Sequence, residues 1–228
     1  MFVEKFSKFF ESAAGVAVTV SICCAVLIIL AGLFYRKKQF TTRALTCSAV
    51  CIALSVILSN IKLFEMGQGG SATAFSMLFI VLVGYLFGPA AGILAGIADG
   101  LLQLALKADV VHPIQLLLDY PFAFGALGLA GFFRNLLKNN TIGKSKIKFD
   151  GLCIGYIASV LARWFMSFLS GIIFFAEYAE GKNVIIYSAG YNFSYILPEM
   201  VLTLIVLCVP SIRNAIDHVA HSVKAYKR

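Results

Sequence analysis

The hydrophobic positions of this chain fall into long continuous runs that are separated by short polar segments. A run of about 20 apolar residues is the length that an α-helix needs to cross the roughly 30 Å hydrocarbon core of a bilayer. We predict a membrane-spanning helix in each of seven runs: 13–35, 41–63, 73–87, 90–106, 113–137, 151–176 and 184–209. The first run is too long for the apolar part of a signal peptide and is followed by basic residues, so we interpret it as a retained helix.

One predicted span, 113–137, carries a carboxylate inside its apolar run. At helical spacing, His112, Gln115 and Asp119 share one face of this helix. Pro121, two residues after the aspartate, should loosen the local backbone hydrogen bonding. Because a carboxylate within a bilayer is costly and usually faces a cavity or a partner, we predict that this helix forms the wall of a binding site.

Three further predicted helices also carry polar side chains at helical spacing. The three stripes are Asp99, Gln103 and Lys107; Arg163, Ser167 and Ser170; and Ser188, Asn192, Tyr195 and Glu199. One stripe would fit ordinary hydrogen bonding between helices, but charged stripes on several helices indicate an interior cavity.

The depth of each polar residue in its span suggests two groups. Asp99 and Asp119 lie in the outer half and are predicted to face a cavity for a cationic or amine-bearing ligand. Arg163 and Glu199 lie deeper, at matching depths, and are predicted to form a structural ion pair. Four aromatic residues near the outer level would either stack on the ligand or form the interfacial belt of the membrane: Tyr120, Phe175, Tyr187 and Tyr191.

Composition agrees with a polytopic membrane protein whose surroundings are the lipid bilayer. Hydrophobic residues make up 60% of the chain and charged residues 13%, whereas roughly a quarter of a soluble domain is charged. The net charge of +8 comes largely from basic residues in short segments, which is typical of cytoplasmic loops and does not indicate nucleic acid as a partner. The basic segments 36–43, 134–148 and 213–228 predict an N-terminus outside and a C-terminus in the cytoplasm.

The sequence indicates neither a metal site nor a cofactor site. The six cysteines lie in apolar runs without the spacing of a zinc or redox motif, and are interpreted as packing residues. Gly143-Lys144-Ser145 is similar to the end of a phosphate-binding loop, but Lys138 stands where the first glycine is required. Any energy from ATP would therefore have to come from a partner.

Four runs of this chain resemble the thiamine-specific substrate-binding (S) components of energy-coupling-factor (ECF) transporters. They are GQGGSATAFSM at 67–77, VHPIQLLLDYPFAFGALGLAGFF at 111–133, SGIIFFAEYAEG at 170–181 and YSAGYNFSYILPE at 187–199. The resemblance implies an all-α integral membrane protein with a six-helix S-component bundle at 41–209. To this bundle the chain adds an N-terminal transmembrane helix and basic loop at 1–40, and a basic cytoplasmic tail at 210–228.

The resemblance also implies a non-enzymatic protein that binds thiamine from outside with high affinity in the plasma membrane. Such proteins associate with a transmembrane coupling subunit and two ATPase subunits. The family pocket maps onto Asp119, Tyr120, Arg163, Ser167, Phe175, Tyr187 and Asn192. Asp99 and His112 join this set of ligand-binding candidates because they lie on the polar stripes. Ala49 and Ala53 resemble the family's contact with the coupling subunit.

Two other functions stay open at this point. Ser167 stands where the family has a histidine, and a hydroxyl cannot fill the space of an imidazole. Another small amine heterocycle, such as a thiamine precursor, is therefore an alternative ligand. An intramembrane enzyme using Asp99 and Asp119 as a catalytic pair is an alternative of a different class. The two residues lie on different predicted helices and in no protease motif, which argues against it.

Overall fold

A computed structural model describes residues 41–67, 69–106, 111–134 and 151–225. The elements are α1 (Thr42–Ser59), β1 (Lys62–Glu65), β2 (Ser71–Thr73), α2 (Ser76–Phe87), α3 (Pro89–Leu106), α4 (Pro113–Phe133), α5 (Gly151–Phe174), a 3₁₀ turn (Ala176–Ala179), α6 (Val184–Leu207) and α7 (Pro210–Ala225). The predicted N-terminal span 13–35, Lys107 and residues 135–148 of the predicted basic segment lie outside these described residues.

Helices α1 to α6 of the described residues confirm the prediction of an all-helical, multi-pass membrane protein. Five of them, α1 and α3 to α6, are long and apolar enough to cross a membrane, and α2 is a shorter apolar helix of 12 residues. The predicted span 73–87 starts too early, because Thr73 belongs to β2 and Phe75 has a left-handed backbone with φ of 66°. The predicted span 41–63 ends too late, because α1 stops at Ser59 and the chain enters a hairpin.

Helix α4 changes its geometry along its length. His112 caps its start by accepting a hydrogen bond on Nδ1 from the Ile114 N–H at 3.1 Å. The turn Leu118–Phe122 is π-helical and contains Pro121, whose missing N–H removes one hydrogen bond of a regular helix. The predicted loosening around Pro121 is therefore confirmed. Single π-turns are frequent at functional sites, and this one carries Asp119 and Tyr120.

Glycines on α3 allow the backbones of α3 and α4 to pack in direct contact. A Cβ added at Gly96 would lie 2.2 Å from the Phe124 carbonyl oxygen, and one at Gly100 would lie 2.5 Å from the Tyr120 carbonyl oxygen. Small residues serve this purpose in membrane proteins because dispersion contacts must replace the hydrophobic effect between helices. The face formed by Gly92, Gly96 and Gly100 is therefore an internal packing surface.

The segment predicted as a basic tail folds into an amphipathic helix, α7, over most of its length. Val223 is 6% exposed and packs in one cluster with Ala44 of α1. The Arg43 guanidinium donates a hydrogen bond to the Ser222 carbonyl oxygen at 3.3 Å. Helix α7 therefore lies against the start of α1.

Candidate ligand-binding cavity

A cavity of about 500 Å³ lies between the β-hairpin and helices α4, α5 and α6. This volume falls within the range of small-molecule sites, which is roughly 300–1,000 Å³. The hairpin contributes Glu65, Gly70, Ser71 and Thr73 to its wall, and α1 contributes Ser59.

Most of the residues predicted to bind a ligand line this one cavity. They are Asp119 and Tyr120 from α4, Arg163 and Ser167 from α5, Phe175 from the turn after α5, and Tyr187 and Asn192 from α6. The polar stripes therefore do converge, although only the folded chain brings segments so distant in sequence to one space.

Two neighbouring side chains hold Asp119 in place. Its Oδ2 accepts a hydrogen bond from Gln115 Nε2 at 2.7 Å and another from Ser170 Oγ at 2.8 Å. Gln115 lies four residues earlier on the same helical face, whereas Ser170 reaches across from α5. Hydrogen bonds to an ionised group are the stronger ones, so the carboxylate is well oriented before any ligand arrives.

Asn192 joins α5 to α6 at the cavity wall. Its amide nitrogen donates to the Ser188 carbonyl oxygen at 2.9 Å and to the Ser167 carbonyl oxygen at 3.3 Å. Its Oδ1 accepts from the Tyr195 hydroxyl at 2.7 Å. The amide NH2 group and the Oδ1 atom of Asn192 both already have protein partners. Asn192 would therefore bind a ligand only through the second lone pair of Oδ1.

Arg163 does not pair with Glu199, so the predicted ion pair is wrong. The Arg163 guanidinium carbon lies 4.1 Å from the centroid of the Phe124 ring, a cation–π arrangement at the cavity wall. The Glu199 carboxylate instead accepts hydrogen bonds from Thr73 at the end of the hairpin and from the start of α2. Matching depth in the bilayer did not reveal that the two side chains point toward different neighbours.

Asp99 and His112 do not line the cavity. Asp99 is fully buried where α1 meets α3, and its Oδ2 accepts a hydrogen bond from Ser55 Oγ at 3.0 Å. Gln103, one turn later on α3, reaches the cavity instead. The His112 ring caps α4 and stacks on Phe174 with centroids 5.0 Å apart.

These positions change two interpretations. The prediction that Asp99 and Asp119 face one cavity is wrong, because the close packing of α3 on α4 turns Asp99 toward α1. A catalytic pair of these carboxylates therefore has no shared space in which to act.

Aromatic rings form another part of the wall. Tyr187 and Tyr191 lie nearly parallel with centroids 6.2 Å apart, and Phe175 lies 6.0 Å from Tyr178. A fixed carboxylate beside several ring faces suits a planar ligand that carries an amine or a positive charge. Among the described residues, no group of three or more His, Cys, Asp or Glu side chains is placed to hold a metal ion.

The hairpin and the start of α2 also form part of the wall, although no polar stripe in the sequence marks them. Thr73, Ser76 and Met77 line the cavity, together with Gly70 and Ser71. The available signal was the run at 67–77, which resembles the S-component family but contains no charged residue.

Ala49 and Ala53 are both exposed on α1, away from the cavity. Only Ala44 and Ser55 are buried on this helix, and large apolar side chains such as Val50 and Ile57 are also exposed. The exposed face of α1 is therefore available to lipid or to a partner helix.

Similarity to known proteins extends over most of the chain. A family model described as thiamine transporter protein matches residues 45–217. The thiamine transporter ThiT of Bacillus subtilis (strain 168) is 36% identical over 169 residues, which cover 71% of this chain and 86% of that protein. The thiamine transporter ThiT of Lacticaseibacillus paracasei is 34% identical over 142 residues, covering 58% of this chain and 71% of the relative.

A solved structure supports the fold independently. The structure of ThiT from Listeria monocytogenes superimposes with a TM-score of 0.63 and covers 74% of this chain and 92% of its own. The two sequences are 24% identical. The likeness therefore extends to the overall arrangement of the helices.

Proposed function

This chain belongs to the thiamine transporter protein family, and we propose that it is the membrane-embedded subunit that captures thiamine for uptake. Thiamine would enter the cavity from the outer side of the membrane. The relatives that match this chain are named as transporters, in agreement with binding rather than chemical conversion.

The observation that carries this proposal is the fixed carboxylate of Asp119 among aromatic rings in a small-molecule cavity. Thiamine has a permanently positive thiazolium ring and an aminopyrimidine whose amino group donates hydrogen bonds. Asp119 would accept from the amino group, and the rings of Phe175 and Tyr187 would stack on the ligand. Tyr120 and Arg163 would complete the polar wall.

The position of Ser167 favours a water-mediated contact with the ligand. It lines the cavity, and its backbone carbonyl already accepts a hydrogen bond from Asn192. Its short hydroxyl leaves room that a longer side chain would fill, so contact with the ligand through water is the simplest arrangement. The same room would also admit a different amine heterocycle, such as a thiamine precursor.

Binding of radiolabelled thiamine to the purified full-length chain tests the ligand directly. Unlabelled thiamine should compete fully, and its separate pyrimidine and thiazole halves should compete only weakly, because each makes part of the contacts. If the pyrimidine half alone competed as well as thiamine, the ligand would be a precursor. Failure of thiamine to bind at micromolar protein would contradict the proposed function.

The energy for uptake would come from partner proteins. We infer that a transmembrane coupling subunit docks on the exposed α1 face around Ala49 and Ala53, and that two ATPase subunits bind to it. Ala49→Trp should abolish co-purification with these subunits, because a bulky side chain prevents close helix contact. The same variant should bind thiamine normally; unchanged co-purification would place the docking surface elsewhere.

A further inference from the structure

Glu199 is a buried acidic residue for which the proposed ligand contacts give no role. It lies on α6, is 3% exposed, and touches the inner end of the cavity. A charge buried within a membrane-spanning helix is costly unless hydrogen bonds or an opposite charge compensate it. The groups that donate hydrogen bonds to the Glu199 carboxylate therefore indicate its structural role.

All the hydrogen bonds that the structure gives to Glu199 come from one short segment of the chain. Oε2 accepts from the backbone N–H and the hydroxyl of Thr73, at 3.3 and 2.6 Å. Oε1 accepts from the hydroxyl of Ser76 and the backbone N–H of Met77, at 3.1 and 3.0 Å. Both carboxylate oxygens therefore bind the junction between β2 and α2, across more than 120 positions of sequence.

This junction has a conformation that needs outside support. Phe75 adopts a left-handed backbone with φ of 66°, which a bulky residue keeps only where its surroundings enforce it. Phe75 also stands at the N-cap of α2 but offers no side-chain hydrogen bond to the helix. The carboxylate of Glu199 takes over this capping function, because it accepts from the Met77 N–H in the first turn.

The junction is also part of the cavity. Thr73, Ser76 and Met77 line the same space as Tyr187 and Asn192, which belong to the helix that carries Glu199. Further along the hairpin, the Gly70 N–H donates to the Tyr191 hydroxyl at 3.1 Å, a second contact with α6. The neutral contact at Gly70 is weaker than the charged one at the junction.

We propose that Glu199 is the positioning residue of the binding cavity. It fixes the segment from Thr73 to Met77 against α6 and so sets the distance between the hairpin wall and the wall formed by α6. This inference rests on the proposed function only for the identity of the ligand. The geometric part concerns the ligand-free protein.

Hydrogen–deuterium exchange of the full-length chain tests the geometric part. The backbone N–H groups of Thr73 and Met77 donate directly to Glu199, so Glu199→Gln should speed their exchange roughly tenfold. Exchange in α3 and α5 should stay unchanged. The matched control is Asp217→Asn on α7, which makes the same carboxylate-to-amide change far from the cavity and should leave Thr73 and Met77 protected.

Thiamine dissociation, followed by chasing labelled ligand, tests the link to binding. Glu199→Gln should speed dissociation roughly tenfold, because the cavity wall must then be ordered by the ligand. A uniform rise of exchange throughout the chain would reduce Glu199 to a general stabilising residue and overturn the proposal. A local rise of exchange with unchanged dissociation would overturn its positioning role.

Two further outcomes remain decisive. If Glu199→Gln does not fold, Ser76→Ala removes one donor and keeps the carboxylate, and should give a smaller rise confined to the same segment. Unchanged exchange there would contradict the proposal. If the unaltered chain does not bind thiamine, the proposed function fails, while exchange in the ligand-free protein still decides whether Glu199 holds the junction.

Discussion

Hydrogen bonds from neighbouring side chains fix the orientation of the Asp119 carboxylate. Gln115 and Ser170 donate to the same carboxylate oxygen, so the group is oriented before binding. A preorganised contact costs less conformational entropy when the ligand arrives. The two donors also compensate a charge that would otherwise be expensive inside a membrane.

Two serines one turn apart on α5 allow this arrangement to be tested. Ser170→Ala removes a hydrogen bond to the Asp119 carboxylate and should weaken thiamine binding roughly tenfold. Ser167→Ala should have a much smaller effect, because that hydroxyl makes no hydrogen bond to Asp119. Titration calorimetry on both variants gives the comparison, and equal losses would contradict the assigned role of Ser170.

Helical periodicity was sufficient to predict many of the cavity residues, but it could not assign every partner. The face shared by Gln115 and Asp119 follows directly from their spacing of four residues. The neighbours of Asp99 and Glu199 depend instead on which helices pack together. Ser55 lies 44 positions from Asp99, and Thr73 lies 126 positions from Glu199, so no local pattern connects them.

The packing of α3 against α4 determines where Asp119 and Tyr120 lie. The glycines of α3 bring the backbone of α4 close just where its helix turns π-helical around Asp119 and Tyr120. A wider separation would shift both side chains relative to α5 and α6. Helix packing and ligand binding are therefore expected to depend on the same small residues.

Glycine substitution on two helices measures this packing. A Cβ at Gly96 would clash with the α4 backbone, so Gly96→Ala should lower stability by about 1–3 kcal/mol. Gly190→Ala on α6 is the matched control, because nothing lies within 4 Å of its added Cβ. Thermal unfolding of both variants in detergent should show a loss only for Gly96→Ala, and a comparable loss at Gly190 would contradict the packing account.

The β-hairpin and helix α7 are not predicted from the sequence, for different reasons. The hairpin strands Lys62–Glu65 and Ser71–Thr73 are too short to give an alternating pattern. The basic residues of 210–228 predict a cytoplasmic tail but not its helix α7, although Ile216, Ala220 and Val223 recur on one face. The long apolar spans were predicted well because about 20 apolar residues have few alternatives to a membrane helix.

At the scale of the described molecule, α1 connects the contact with α7 to the cavity wall. Its first turn meets α7 through Arg43 and Ser222, while Ser59 at its other end lines the cavity. Eighteen helical residues separate these ends by about 27 Å, close to the thickness of a bilayer core. The basic residues near α7 therefore predict a cytoplasmic location for that end and an outward opening for the cavity.

Cysteine labelling in intact cells tests this orientation. In a background without the native cysteines, Lys182→Cys in the exposed turn before α6 should react with a membrane-impermeant maleimide. Ser211→Cys, exposed at the start of α7, should react only after the cells are permeabilised. The reverse pattern would place the cavity on the cytoplasmic side and contradict capture from outside.

The central claim, that Asp119 anchors thiamine in this cavity, is tested most directly by calorimetry on Asp119→Asn. Loss of a charge-assisted hydrogen bond should weaken thiamine binding roughly ten- to a hundredfold relative to the unaltered chain. Asp217→Asn on α7 provides the matched control and should bind like the unaltered chain. Unchanged affinity in Asp119→Asn would contradict the assignment of this site.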